Sequence, residues 1–166
     1  MESGGGERLM ALFKVERFEQ ITGAFRDLER DSIEVPDGMK FPLLIQDYLT
    51  WGDARSEGLK VVVLDSKSQK LVGFVLRRGA SSDAEAPTMC EFCHSVRPRG
   101  EVSLLVARAT RRKWVGLPAC TDLSCRDQLL GAPGPLDWAR NPHVLPRERV
   151  ARVVAKLLKF ARREPV

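Results

Sequence analysis

All four cysteines of the chain fall in two close pairs, Cys90/Cys93 and Cys120/Cys125. A CxxC turn aims two thiolates at one point, and a second pair returning to that point completes a tetrahedron of soft donors. That is the coordination Zn2+ takes in structural sites. The stretch from residue 94 to residue 119 between the pairs leaves room for a β-hairpin. The spacing therefore predicts one structural zinc ion held by all four cysteines. Other chemistries use the residues less completely. Two disulfides require an oxidising compartment, and Met1-Glu2-Ser3 with the glycine triplet behind it offers no apolar export segment, so a cytoplasmic setting is expected. A thioredoxin-like CxxC needs one pair and leaves Cys120 and Cys125 without a role. The run Cys90-Glu91-Phe92-Cys93-His94 also fits CxxCH, the haem-attachment pattern, which again idles the second pair. Four unrelated buried thiols are the plain alternative, and His94 and His143 read as ordinary histidines.

A chain of 166 residues with 43% hydrophobic content makes one domain, or a domain with an appendage, and can bury a sizeable core. No apolar run approaches membrane-spanning length. The formal charge of +5 hides an asymmetry, because residues 1–85 carry 12 Lys/Arg against 15 Asp/Glu whereas residues 86–166 carry 15 against 7. The basic character travels with the cysteines. Four thiolates on one Zn2+ contribute about −2, which leaves this half near +6. An acidic partner or a nucleic acid suits that surplus, as does a merely solvated basic face.

Along the chain, Val15, Phe18, Ile21, Phe25 and Leu28 recur at helical spacing and predict an amphipathic helix closed before Pro36-Asp37-Gly38. A second short helical stretch is expected over Pro42 to Trp51, with Leu43, Leu44, Tyr48 and Trp51 inward. Leu59 to Asp65 and Lys70 to Arg77 are β-rich runs around Ser66-Lys67-Ser68-Gln69 and should pair as a hairpin. Residues 79–88 read as an exposed, linker-like loop. A second hairpin is expected from Val102 to Ala107 and Lys113 to Leu117, joined by Arg108-Ala109-Thr110-Arg111-Arg112. Asp122 is a candidate helix N-cap, with Cys125 in the first turn and Gly131 as terminator. Knuckle, hairpin, and a helix whose first turn carries the fourth ligand make a treble clef. Residues 131–146 contain Pro133, Pro135, Pro142 and Pro146 and should be loop. From Pro146 to Arg163, Val150, Val153, Val154, Leu157, Leu158 and Ala161 form an apolar stripe opposite a basic face. The expected class is α+β: a treble-clef finger with β-hairpins, a short helical N-terminal segment (residues 1–47), a finger-bearing domain (residues 48–166) and a closing amphipathic helix.

The segments Thr88-Met89-Cys90-Glu91-Phe92-Cys93, Val102-Ser103-Leu104-Leu105-Val106-Ala107, Val115-Gly116-Leu117-Pro118-Ala119-Cys120 and Thr121-Asp122-Leu123-Ser124-Cys125 resemble the treble-clef zinc finger of elongation factor G-binding proteins, the fusidic-acid-resistance type. Tyr48 to Asp53 and Val72 to Arg77 resemble its compact members. The resemblance spans roughly Tyr48 to Leu130. It implies a non-enzymatic protein whose finger binds elongation factor G, with resistance members promoting its release from the drug-stalled ribosome. Cys90, Cys93, Cys120 and Cys125 match the ligand positions one for one. Basic and aromatic finger residues face the partner in that family, which nominates Arg111 and Trp114, then Arg112 and Lys113, with Phe92 behind them in the knuckle; packing beside the metal is the other role open to Trp114 and, more so, to Phe92. Resistance members also carry a helical domain ahead of the finger that residues 1–47 are too short to supply in full. The Arg108–Arg112 turn lacks the glycines often found in compact members and is strongly basic instead.

The expectation is thus a monomeric, zinc-stabilised module docking on elongation factor G, with no membrane contact. The alternative is an RNA- or DNA-binding zinc finger in which the Arg108–Trp114 hairpin pairs phosphates beside a stacked base, rRNA contact included. Enzymatic activity is not expected, because four cysteines close the metal's coordination sphere and no phosphate-cradling or HExxH motif is present.

Overall fold

The computed structural model describes residues 12–79, 88–97, 101–126 and 146–162. Its frame is a five-stranded antiparallel sheet in the order β3–β4–β5–β8–β9, formed by β3 (Tyr48–Asp53), β4 (Gly58–Asp65), β5 (Lys70–Arg78), β8 (Val102–Arg108) and β9 (Trp114–Cys120). Both expected hairpins form. In β4 every residue from Gly58 to Asp65 is buried, as a central strand covered on both faces must be. Gly52 and Gly58 take φ of 89° and 95° around the β3–β4 turn, a left-handed region that side-chain-bearing residues rarely adopt. Arg77 pairs with Val106 and Arg78 with Leu105, which joins the two hairpins into one sheet.

Residues alternate between the two faces. Val61, Val63, Phe74, Leu76, Leu105, Ala107 and Ala119 turn toward one core, and Val62, Leu64 and Val75 toward another. The second core is closed by β1 (Phe13–Val15), α1 (Phe18–Thr22), α2 (Asp27–Arg30) and β2 (Leu43–Ile45). The single helix expected over Val15 to Leu28 is instead a strand followed by two short helices. Val15 pairs with Leu43, Gln20 Oε1 caps α1 by accepting from the Glu16 and Arg17 N–H groups, and the chain turns at Gly23. The apolar spacing marked burial at Val15, Ile21 and Phe25, which face this core, and in part at Phe18, but not at Leu28, which is exposed. The second expected helix, over Pro42 to Trp51, is replaced by β2 and β3. Its residues reach β1 and β4, and backbone pairing with those strands overrides local preference.

Beyond the point where β8 stops pairing, β5 has an open edge, and the N-terminal segment covers it. Gly73 N–H donates to the Ala24 carbonyl at 2.9 Å, and the Phe25 ring lies so close over Gly73 that a Cβ there would stand 2.8 Å from it. Arg26 reaches further, donating to the Arg108 and Ala109 carbonyls at 2.8 and 3.0 Å.

The first core is closed by α3 (Pro146–Ala161) and by the cysteine knuckle, which includes β6 (Thr88–Met89) and β7 (Val96–Arg97). Val150, Val153 and Leu157 of the expected stripe are buried, while Val154, Leu158 and Ala161 are partly buried. Phe160, outside that stripe, is buried too and packs against Phe74 and Phe92 with ring centroids 5.8 and 6.3 Å apart. The loop expected over residues 79–88 falls largely on residues 80–87, and the one over 131–146 on 131–145. Both stretches lie outside the described residues, as does Gly131. No helix among the described residues is long and apolar enough to cross a membrane.

Candidate metal centre

The knuckle forms because a tight turn folds the chain back at Cys90. Cys90 N–H donates to the Ser95 carbonyl at 2.9 Å, His94 N–H donates to the Cys90 carbonyl at 2.8 Å, and His94 takes a left-handed φ of 61°. The reversal brings the Cys90 and Cys93 sulfurs into one cluster. Glu91 N–H then binds the Pro118 carbonyl at 2.9 Å, fastening the knuckle to the outer edge of β9 two residues before Cys120. After Cys120 the backbone turns through Leu123, with φ of 49°, and Cys125 begins a helical turn as expected.

The four sulfurs lie within 4.8 Å of one another, with Cys90 to Cys125 and Cys93 to Cys120 each at 3.7 Å. A tetrahedron with Zn–S bonds of about 2.3 Å has edges of about 3.8 Å, so these separations are those of a zinc cage. They are far from the ~2.05 Å of a disulfide, and all four cysteines are free. Because both members of each pair face the other pair, neither the haem nor the redox reading accounts for the geometry.

The surroundings favour thiolate at Cys90 and Cys93 and the neutral thiol at Cys120 and Cys125. Cys120 N–H points at Cys90 Sγ from 3.4 Å, and Ser95 Oγ lies 2.9 Å from Cys93 Sγ. Hydrogen bonds from Cys120 and then Cys125 draw the Cys90 thiol down to about 7, and a bond from Cys120 leads in holding Cys93 below the usual thiol range. Cys125 is pushed up by its Cys120, Cys90 and Cys93 neighbours and by burial, since without a cation the cluster cannot ionise completely. A divalent metal held by Cys90, Cys93, Cys120 and Cys125 would replace the remaining protons, and the donor set suits Zn2+.

Two clamps brace the cage. The Tyr48 hydroxyl donates to the Leu123 carbonyl at 2.6 Å and accepts from Arg126 N–H at 3.0 Å. The Arg126 guanidinium covers the Tyr48 ring at 4.9 Å and donates to Asp47 Oδ1 and the Tyr48 carbonyl, both at 2.6 Å. From the other side, Lys156 of α3 contacts His94 Nε2 and donates to the Glu91 and Phe92 carbonyls.

Residues 20–163 match the family described as the FBP C-terminal treble-clef zinc-finger, where FBP denotes a fusidic-acid-resistance protein that binds elongation factor G. The chain belongs to this family. No curated protein and no solved structure gives a significant match. The match and the four-sulfur cluster agree: this is a zinc-stabilised treble-clef domain whose four cysteines can hold one zinc ion.

The family's hairpin is held here without glycine at its turn. Thr110 Oγ1 accepts from the Arg112 and Lys113 N–H groups, and Ala109 N–H donates to the Lys113 carbonyl at 2.8 Å. Arg111, Arg112 and Lys113 are exposed, and none makes an ion pair among the described residues. Trp114 is 45% exposed, with the Arg108 guanidinium 5.2 Å from its ring centroid. Phe92 departs from expectation. It is only 3% exposed and stacks edge-on against Phe160, so it serves the core and cannot face a partner. The bracing roles of Arg126 and Lys156 carried no sequence signal, and Tyr48 was marked only as an inward residue within a segment that resembles the family. Only the burial of a tyrosine hydroxyl, which requires a partner, could have marked Tyr48 as a brace.

Proposed function

We propose that this chain is a non-catalytic binding module in which Cys90, Cys93, Cys120 and Cys125 ligate one structural Zn2+ and the basic hairpin docks on elongation factor G. The observation that carries the reading is the pairing of a closed four-sulfur cage with a rigid hairpin that displays Arg111, Arg112, Lys113 and a half-exposed Trp114. Four thiolates leave zinc no open position for water or substrate, so the metal shapes the finger and does no chemistry. Uncompensated cations beside an exposed tryptophan are the composition of an interface that meets an acidic surface. Elongation factor G works in the cytoplasm, which is where this reading puts the protein, and an influence on release of the factor from the ribosome is the effect such docking would have. Titration calorimetry of the zinc-loaded chain against purified elongation factor G at physiological salt should give saturable binding. Arg111→Glu combined with Trp114→Ala should weaken it at least tenfold with one zinc per chain retained. Unaltered affinity in that variant sinks the hairpin as the contact surface.

A further inference from the structure

Among the described residues, one face of the sheet is closed by α3 and the knuckle, and the other is closed only in part. The N-terminal segment covers β4 and β5, but β8, β9 and the end of β5 extend past it. On this uncovered half Arg77 stands beside Val106, and Leu104, Val106 and Arg108 stand opposite Pro118, Gly116 and Trp114. Val106 Cγ1 lies 2.6 Å from where a Gly116 Cβ would be, and Leu104 and Val106 crowd Gly79 in the same way. The two glycines let these side chains lie flat, leaving a low apolar ridge on which Leu104 is 40% exposed. Where the ridge meets α2, a cleft of about 260 Å3 is lined by Leu28, Glu29, Ser32, Val75, Arg77, Arg108 and Trp114. Leu28 at its lip is 45% exposed. Two buried atoms in its walls, Glu29 Oε2 and Arg108 Nε, have no hydrogen-bond partner among the described residues. Arg77 is exposed and, like the cations of the hairpin turn, makes no ion pair among the described residues.

We propose that this cleft and ridge form a composite docking surface, shared between the N-terminal segment and the hairpin, for an acidic protein surface that seats a carboxylate side chain with an apolar neighbour beside Trp114. The inference rests on the docking reading above and adds which segments and which chemistry make the contact. Charge complementarity selects an acidic partner: Arg77, Arg111, Arg112 and Lys113 repel one another until an anionic surface covers them, and a guanidinium such as Arg77 or Arg108 can take a carboxylate as a fork. Glu29 opposes an incoming carboxylate, but it is buried and the positive charges of Arg26, Arg108 and Arg77 act on it. Protein is favoured over nucleic acid for two reasons. One face of the Trp114 ring is occupied by Arg108, which leaves a poor platform for stacking a base, and the exposed Leu28 and Leu104 are apolar anchors that a phosphate backbone does not use.

The test uses the full zinc-loaded chain with Leu28→Asp and Arg77→Glu, both at exposed positions, alongside Arg111→Glu. The expected result is that Leu28→Asp and Arg77→Glu each weaken elongation factor G binding tenfold or more, at one zinc per chain and an unchanged unfolding temperature. Wild-type binding that falls with Arg111→Glu but is untouched by Leu28→Asp and Arg77→Glu overturns the composite surface and leaves the docking reading standing. Absence of wild-type binding, with salt-steep binding of rRNA fragments in its place, overturns both.

Discussion

At the scale of single residues, one phenol holds both flanks of Cys125, because the Tyr48 hydroxyl joins the Leu123 carbonyl before it to the Arg126 N–H after it. Burial pushes its ionisation well above the ordinary tyrosine range, so it remains a donor at any physiological pH. Tyr48→Phe preserves the packing and strands a carbonyl and an N–H in a poorly solvated place. A loss of about 1–3 kcal/mol follows. Thermal unfolding of the zinc-loaded variant checks this, and an unchanged midpoint would mean that water satisfies both groups. The sequence marked the four cysteines fully, since metal chemistry constrains residue type and spacing together. Phe92 stayed open between the two roles because an aromatic beside a ligand reads the same whether it points outward or into the core. Only the position of Phe160 decides between the two.

At the scale of elements, the hairpins β4–β5 and β8–β9 and the helix α3 were legible, because each carries its own period and its own turn. The N-terminal elements were not. Val15 to Leu28 has helical spacing, yet that spacing is also met by a strand and two short helices wrapped over one apolar patch. What separates the two outcomes is the unfilled edge of β5 and the bare surface of Gly73, features some fifty residues away in the chain. The end of α3 is tied back to β4 by Arg162, which contacts the Asp65 carboxylate and holds it down to about 2. A carboxyl depressed in the folded state contributes stability above its unfolded value near 4 and loses it as pH falls toward 2. Acid unfolding should therefore steepen across that window, and Asp65→Asn should remove the added steepness. Parallel acid-unfolding curves for variant and wild type would show that the contact contributes nothing.

At the scale of the whole molecule, the metal centre is continuous with the main core. Cys90, Cys120 and Cys125 belong to the same buried cluster as Val61, Phe74, Leu105, Leu157 and Phe160. Losing the ion should therefore release more than a local loop. Structural zinc contributes about 10–16 kcal/mol in small fingers, which exceeds the net stability of many domains of this size. Chelation, or Cys93→Ser, is expected to abolish the cooperative unfolding transition and the near-ultraviolet signal of the packed aromatics. An unchanged melting profile after verified zinc removal would show that the sheet and α3 stand without the metal.

The N-terminal segment covers β4 and β5 on one face of the sheet and α3 packs on the other, so strands from the middle of the chain are flanked by segments from either side of them in sequence. Arg26 binds carbonyls more than eighty residues downstream. During synthesis, residues 13–45 emerge before any strand of the five-stranded sheet exists to receive them, and that tie must wait until the β8–β9 turn has been made. The early segment spends its first seconds with Val15, Ile21 and Phe25 unburied, exposed to chaperones and to neighbouring chains.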